Sequence, residues 1–226
     1  PSPIPLPSPS PAPVPVPTPS GEVFTGDGTA YSEAVSNQGG IGFACSYRYL
    51  NDYFKVNFAA INQPMWNDGA NCGRCLVATC VDPQCRNGQT VLVQVVDLCP
   101  ECKYGDVDFS IPTYNRMTGL WPNRLKIQWS WNDDCANMIT GTIQFSPKDG
   151  VNDHWQAFYL SNAKFPIASV ALNGVPLQRS PYQFYINPAS PPSGPATLTI
   201  TATNGQVATA TLNNIFQAQD LGVNFA

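Results

Sequence analysis

Charge is scarce in this 226-residue chain. Asp, Glu, Lys and Arg make up 12% of it, there is a single His, and the net charge is −4. The isoelectric point is about 4.8. The basic footprint of a nucleic-acid binder is therefore missing, and so is the charge for strong attachment to an acidic polymer. Long apolar runs are missing as well. None approaches the roughly 20 residues a membrane helix needs, so neither nucleic acid nor membrane is expected as a partner. No Asn-x-Ser/Thr glycosylation acceptor occurs, and no signal peptide is visible, as expected if one is removed ahead of Pro1. What the chain does have is enough apolar material for a core: 43% hydrophobic and 11% aromatic residues, which excludes global disorder.

Prolines and cysteines are unevenly spread, and they divide the chain. Every odd position from Pro1 to Pro19 is proline, ten of the 23 in all. Alternating X-Pro removes half the amide donors and pushes each X to extended angles, so neither helix nor sheet ladder can form. The expected state of residues 1–21 is a polyproline II stalk or linker of about 3.1 Å per residue. Ser2, Ser8, Ser10, Thr18 and Ser20 could carry sugars on it. All eight cysteines (Cys45, Cys72, Cys75, Cys80, Cys85, Cys99, Cys102 and Cys135) fall in the next stretch. Residues 22–138 thus read as one disulfide-framed domain with 12 acidic and 8 basic residues, the whole net charge. Residues 139–226 hold three of each sign and no cysteine, and read as a second, neutral domain.

Secondary structure is expected to be mainly β. Val91–Val96 and Leu125–Trp131 have the β-branched and aromatic content of strands. Phe54–Ile61 and Ile111–Thr118 read as short helices. In the last 85 or so residues, Gly141–Phe145, Trp155–Leu160, Ala168–Leu172, Gln183–Ile186, Ala196–Thr203 and Val207–Leu212 read as short strands. Turns such as Asn173-Gly174 and Asn204-Gly205 separate them, which suggests a β-sandwich.

Cys72-Gly-Arg-Cys75 and Cys99-Pro-Glu-Cys102 are C-x-x-C pairs, the spacing of a four-thiolate zinc site or of a redox dithiol. The even total and the stalk favour disulfides in an oxidising compartment, with no metal and no cofactor. The stretch Val95–Ser110 carries the candidate chemistry. A strand ends at Asp97, a cysteine loop follows, and Asp106-Val-Asp108 arrives in time to bring Asp97 and Asp108 into one cleft. Two close carboxylates split their proton affinities, and polysaccharide chemistry uses such a split. The bland alternative is that Asp97 accepts loop amides and Asp106 is merely solvated.

Gly28-Thr-Ala-Tyr31, Ala44-Cys-Ser-Tyr47, Asn71-Cys-Gly-Arg-Cys75, Val96-Asp-Leu-Cys-Pro100, Gly105-Asp-Val-Asp-Phe-Ser110 and Lys126-Ile-Gln-Trp129 occur in that order. From residue 22 onward the chain resembles the expansin family. The resemblance implies a six-stranded double-psi β-barrel, shared with barwin proteins and family-45 endoglucanases, followed by an immunoglobulin-like β-sandwich that binds carbohydrate. It implies a groove of Thr29, Tyr31, Asp97 and Asp108, with Asp108 the key residue. Cys99 departs from the family's aromatic after Asp-Leu, and Tyr104 is the candidate to replace the lost ring. It implies the pairs Cys45–Cys72, Cys75–Cys135 and Cys80–Cys85, which leaves Cys99–Cys102 as a local bridge. In the second domain it implies a platform of Trp155 and Tyr182, with His154 where bacterial relatives have another tryptophan. The burial of Tyr159, Trp66 and Trp121 is open.

The function so implied is that of a secreted, monomeric, non-hydrolytic wall-loosening protein of the cell wall, acting on cellulose, xyloglucan or a related glucan. No endoglucanase-type base stands near Thr29–Tyr31, where Glu33 is the nearest acid. The alternatives are a glycoside hydrolase or lytic transglycosylase with Asp108 as acid, and a barwin-like module binding chitin or wall glycan.

Overall fold

Alternating Phe24, Gly26 and Gly28 turn one side of the first strand, β1 (Val23–Ser32), toward the interior, and two glycines let neighbouring backbone approach. A Cβ on Gly26 would stand 2.3 Å from the carbonyl of Gly105, so only glycine fits there. The computed structural model describes residues 21–86 and 88–226. The stalk expected over residues 1–21 lies outside the described residues, apart from Gly21.

Five more strands complete a closed barrel: β2 (Phe58–Asn62), β3 (Cys75–Cys80), β4 (Val91–Cys99), β5 (Val107–Ser110) and β6 (Leu125–Trp131). Their order is β1-β5-β2-β4-β3-β6. The pairs β1/β5 and β2/β4 are parallel and the other ladders antiparallel, so the chain crosses the barrel twice as a double-psi barrel requires. A helix, α1 (Ile111–Thr118), leaves β5 with proline in its first turn and ends on Gly119 at φ 71°. The interior holds Phe109, Ile127, Trp129, Val93 and Val95, all buried.

One expectation fails. Phe54–Ile61 is not helical; its second half is β2, and every residue of β2 is buried. A strand covered on both faces shows no alternation, so periodicity could not separate it from a helix. The helix expected over Ile111–Thr118 is present with those bounds, and β4 runs three residues beyond Val96.

The rest forms two facing sheets. One holds β9 (Ile167–Leu172), β10 (Val175–Pro176), β13 (Ala196–Ala202) and β14 (Val207–Leu212) in the order β10-β9-β13-β14. The other holds β7 (Gln144–Pro147), β8 (Ala157–Ser161), β11 (Gln178–Arg179), β12 (Phe184–Ile186) and β15 (Gln219–Asp220) in the order β11-β12-β8-β7-β15. Phe145, Phe158, Leu160 and Tyr185 meet Leu172, Leu198, Ile200 and Leu212 in one core. Asn173 (φ 49°) and Gly174 (φ 80°) make the tight hairpin read from the sequence.

Barrel and sandwich meet along a polar seam. The Arg48 amide donates to Ser161 Oγ (2.8 Å), Gln183 Nε2 to the Gly69 carbonyl (3.0 Å) and Arg179 Nη1 to the Asp68 carbonyl (3.2 Å). The Arg48 guanidinium lies over the Tyr159 ring at 3.9 Å. A cavity of about 20 Å³ remains at this seam, lined by Tyr47, Asn51, Gln94, Asn162 and Tyr185 among others. Gly69 has φ 78°, and a Cβ on it would sit 2.3 Å from the Pro181 carbonyl. Gly69→Ala is therefore expected to cost about 1–3 kcal/mol by pushing the Pro181–Tyr182 turn off the barrel. Chemical denaturation of variant and parent measures it; an unchanged midpoint would mean the seam yields without cost.

Candidate functional site: a carboxylate row across the barrel

Strand register builds the site. Thr29 on β1 stands opposite Asp108 on β5, Asp108 opposite Ala60 on β2, and Ala60 opposite Asp97 on β4. Laterally paired residues share a face, so the row Thr29–Asp108–Ala60–Asp97 lies on the outside of the barrel with small Ala60 as its floor. β-Bulges interrupt the ladders at both sides, between Ala30 and Ser32 and between Ala59 and Ala60 of β2. They skip Tyr31 and Val96 in the pairing, which sets Tyr31 and Asp97 at the row.

Thr29 Oγ1 donates to Asp108 Oδ1 at 2.6 Å. Asp97 Oδ1 accepts the amides of Ala44 (2.7 Å) and Leu98 (2.9 Å). Burial holds both carboxyls above the ordinary carboxylate range. For Asp97 the two amides and Tyr31 oppose that rise. For Asp108 the Thr29 hydroxyl opposes it most, Glu101 adds to it, Arg124 opposes, and Asp97 adds least. Mutual repulsion of the two aspartates is thus a minor cause; desolvation dominates. The bland reading holds for Asp97, which does accept loop amides. It fails for Asp106, which is buried and accepts the amides of Asp27 (2.8 Å) and Lys103 (3.0 Å).

Tyr31 packs edge-on against Phe43 and Phe58 and covers the cluster of Ala60, Cys99 and Cys102. Its hydroxyl oxygen is buried and no described atom meets it in hydrogen-bond geometry. Burial, then the charges of Asp97 and Asp108, push this phenol well above its usual range. The four disulfides are Cys45–Cys72, Cys75–Cys135, Cys80–Cys85 and Cys99–Cys102, so one C-x-x-C is closed on itself and the cysteines of the other pair with Cys45 and Cys135. The Cys99–Cys102 bridge sits beside the row, and the ring against it is Tyr31. Gly105 at φ 89° packs on the Thr25 carbonyl, and exposed Tyr104 before it meets the edge of Phe24 near the start of β1.

On the sandwich, Trp155 follows a tight turn in which Asn152 Oδ1 accepts the amides of His154 and Trp155 (2.8 and 3.1 Å). It is 36% exposed, Tyr182 is 52% exposed, and Tyr159 is buried. The ladder pairs Phe184 with Tyr159, and exposed Trp155 and Tyr182 lie in the segments just outside the two ends of that strand pair. Trp66 belongs to the core and Trp121 to the surface. Glu33 is exposed beyond the end of β1.

Three residues at these surfaces escaped the sequence reading. Glu101 and Arg124 act on Asp108, and half-buried Phe184 lies between the two platform aromatics. Carboxylates distant in sequence place Arg124 and strand register places Phe184, and neither is written in any local pattern.

Fold and site define a class: a double-psi barrel bearing an open carboxylate row, joined to an aromatic-faced β-sandwich. No protein-family profile matches the chain. It is 27% identical over 140 residues to expansin-like protein 1 of Dictyostelium discoideum, covering 58% of this chain and 47% of that one. It is 32% identical over 103 residues to expansin-A19 of Oryza sativa subsp. japonica, covering 43% and 36%. The chain thus spans less than half the length of these relatives. The crystal structure of the Clavibacter michiganensis expansin superposes with TM-score 0.72 over 91% of this chain and 98% of that one, at 22% identity. A mutant of the same bacterial protein, in complex with cellohexaose, superposes with TM-score 0.73. The chain is thus similar in sequence to expansins and shares the two-domain fold of a bacterial one.

Proposed function

We propose that this chain is a secreted, monomeric cell-wall-loosening protein that binds cellulose or a matrix glucan such as xyloglucan and separates its strands without hydrolysis. Residues 22–138 form the groove unit and 139–226 the docking unit. A glucan strand lies along Thr29, Tyr31, Asp108 and Asp97, while Trp155 and Tyr182 stack on the apolar faces of sugar rings. Binding energy directed at a distorted strand weakens glucan–glucan contacts, and no bond is cleaved.

The observation that carries this reading is the use already made of the two groove carboxylates. Inversion or retention needs an acid and a second carboxylate able to activate water or attack the sugar. Asp97 has one oxygen committed to two backbone amides, which suits a structural acceptor better than a base. The bacterial relative crystallised with cellohexaose supports a linear β-glucan as the occupant.

One observation favours a second reading, cleavage by a glycosidase or lytic transglycosylase. Asp108 holds its proton above the ordinary carboxylate range, as a general acid does, and Glu101 acts on it. Wall creep measured beside product release from cellulose, xyloglucan and peptidoglycan separates the two. Extension without new reducing ends or anhydro products is expected. Product release that scales with extension would replace the first reading by the second.

A further inference from the structure

The carboxylate row does not stop at Thr29. The last ladder pair between β1 and β6 is Gly28 with Leu125; Thr29 follows Gly28 and Arg124 stands just before Leu125, so both lie just beyond the end of that ladder. The row itself crosses four strands, from Asp97 to Thr29, about 14 Å at about 4.8 Å per strand, and the charge of Arg124 acts on Asp108 within it. Arg124 Nη1 lies 3.4 Å from Asp27 Oδ2 and 3.9 Å from Asp106 Oδ2, with 59% of its side chain exposed. These contacts fix the guanidinium beside the row and leave much of it in water.

The loop that delivers Arg124 also delivers Trp121, the most exposed large hydrophobic side chain among the described residues at 76%. Of the other tryptophans on the barrel, Trp66 and Trp129 are core residues, and Trp131 lies under the Arg74 guanidinium at 3.8 Å. Leaving an indole in water forgoes about 2 kcal/mol or more of burial. The loop around it is held on both sides. Thr118 Oγ1 accepts the Leu120 amide (3.1 Å). The Tyr114 hydroxyl donates to the Asn123 carbonyl (2.7 Å) and accepts the Asn123 amide (3.2 Å). Asn123 Oδ1 accepts the Arg124 amide (2.8 Å). Pro122 restricts the remaining link. The ring is thus presented by a pre-ordered loop, which lowers the entropic cost of binding on it.

We propose that the Gly119–Arg124 loop is a further sugar subsite at the end of the groove, Trp121 stacking on a pyranose face and Arg124 donating to its hydroxyls. The occupant is the glucan strand assigned above, continued beyond Thr29, and the inference rests on that reading. An exposed indole beside an N–H fork suits a ligand with apolar faces and a hydroxyl rim. Asp27, Asp106, Asp108 and Glu101 nearby disfavour phosphate or an anionic membrane as the occupant.

The test uses the whole chain carrying Trp155→Ala and Tyr182→Ala, so that soluble oligosaccharides report on the groove. Cellotriose and cellohexaose are titrated by calorimetry into this parent and into versions with added Trp121→Ala, Trp121→Phe or Asp108→Asn. Trp121→Ala is expected to weaken cellohexaose about tenfold, the loss of about 1.4 kcal/mol, and to leave cellotriose nearly unchanged. Trp121→Phe should recover most of the loss, since a ring is restored. Cellohexaose should also shield Trp121 from acrylamide quenching in the parent. If Trp121→Ala leaves cellohexaose binding unchanged while Asp108→Asn weakens both sugars, the subsite is wrong and the groove stands. Equal loss of both sugars in Trp121→Ala would also overturn it, since the ring would then act through the groove itself. If the parent binds neither sugar, the groove reading fails and the subsite with it.

Discussion

Asp108→Asn is expected to abolish wall extension while cellulose pull-down stays near the wild-type level. Asparagine keeps the shape of the side chain, and its carbonyl can still accept from the Thr29 hydroxyl, now 2.6 Å from Oδ1. What it loses is the ability to ionise and to exchange a proton. If the groove works by gripping a distorted strand with a charge-assisted hydrogen bond, that bond weakens and the strand is no longer held. On the proposed reading, pull-down rests mainly on the sandwich aromatics, so a change in the groove should alter it little. A variant that still loosens walls fully would remove Asp108 from the mechanism.

The same substitution should change stability in the opposite sense to function. Burial raises Asp108 above its ordinary value, so the folded protein binds this proton more tightly than the unfolded chain. A group of that kind destabilises the fold when ionised, and the penalty is relieved as pH falls through the raised value toward that of an ordinary aspartate. Asp97 contributes with the same sign, whereas Asp27, Asp82 and Asp220 are lowered and contribute with the opposite one. The difference between Asp108→Asn and wild type cancels those other groups. The variant is expected to melt higher at neutral pH, with the gap closing as pH approaches 4. A gap independent of pH would mean that the gain comes from packing and not from the removed charge. A groove that keeps a charge at a cost to its own fold is the usual trade between site and stability.

Particular residues show why part of this molecule was legible and part was not. Leu125–Trp131 alternates buried and exposed residues for most of its length, and α1 has proline at its start and glycine at its end, so both had their observed bounds in the sequence. β1 did not stand out, because Gly26 and Gly28 read locally as a turn. Their purpose, close approach of Gly105 and room for Ile127, depends on strands far along the chain. β2 was lost for a related reason: the Cys99–Cys102 bridge covers the outward face that a strand normally shows as polar. At the site, Asp97, Asp108 and Thr29 could be picked out through short motifs. Arg124 and Phe184 could not, since one gains its place from carboxylates distant in sequence and the other from a ladder partner.

Trp155→Ala combined with Tyr182→Ala is expected to reduce cellulose binding about a hundredfold, with little change in melting temperature. Trp155 lies just before β8 and Tyr182 just before β12, and these strands run antiparallel, so the two rings stand at opposite ends of the pair and should act independently. Each truncation should then cost about 1.4 kcal/mol, tenfold in affinity, and the two should add. Both rings are exposed, and neither is part of the sandwich core of Phe145, Phe158 and Tyr185. Between them lies half-buried Phe184, its ring edge-on to buried Tyr159 with centroids 6.0 Å apart and Lys148 Nζ 5.1 Å from its own centroid. Depletion isotherms on microcrystalline cellulose measure the effect. Unchanged binding in the double variant would show that the face of the sandwich is not the docking surface. A loss much larger than the sum of the single variants would show that the rings act through a shared contact, with Phe184 the residue to truncate next.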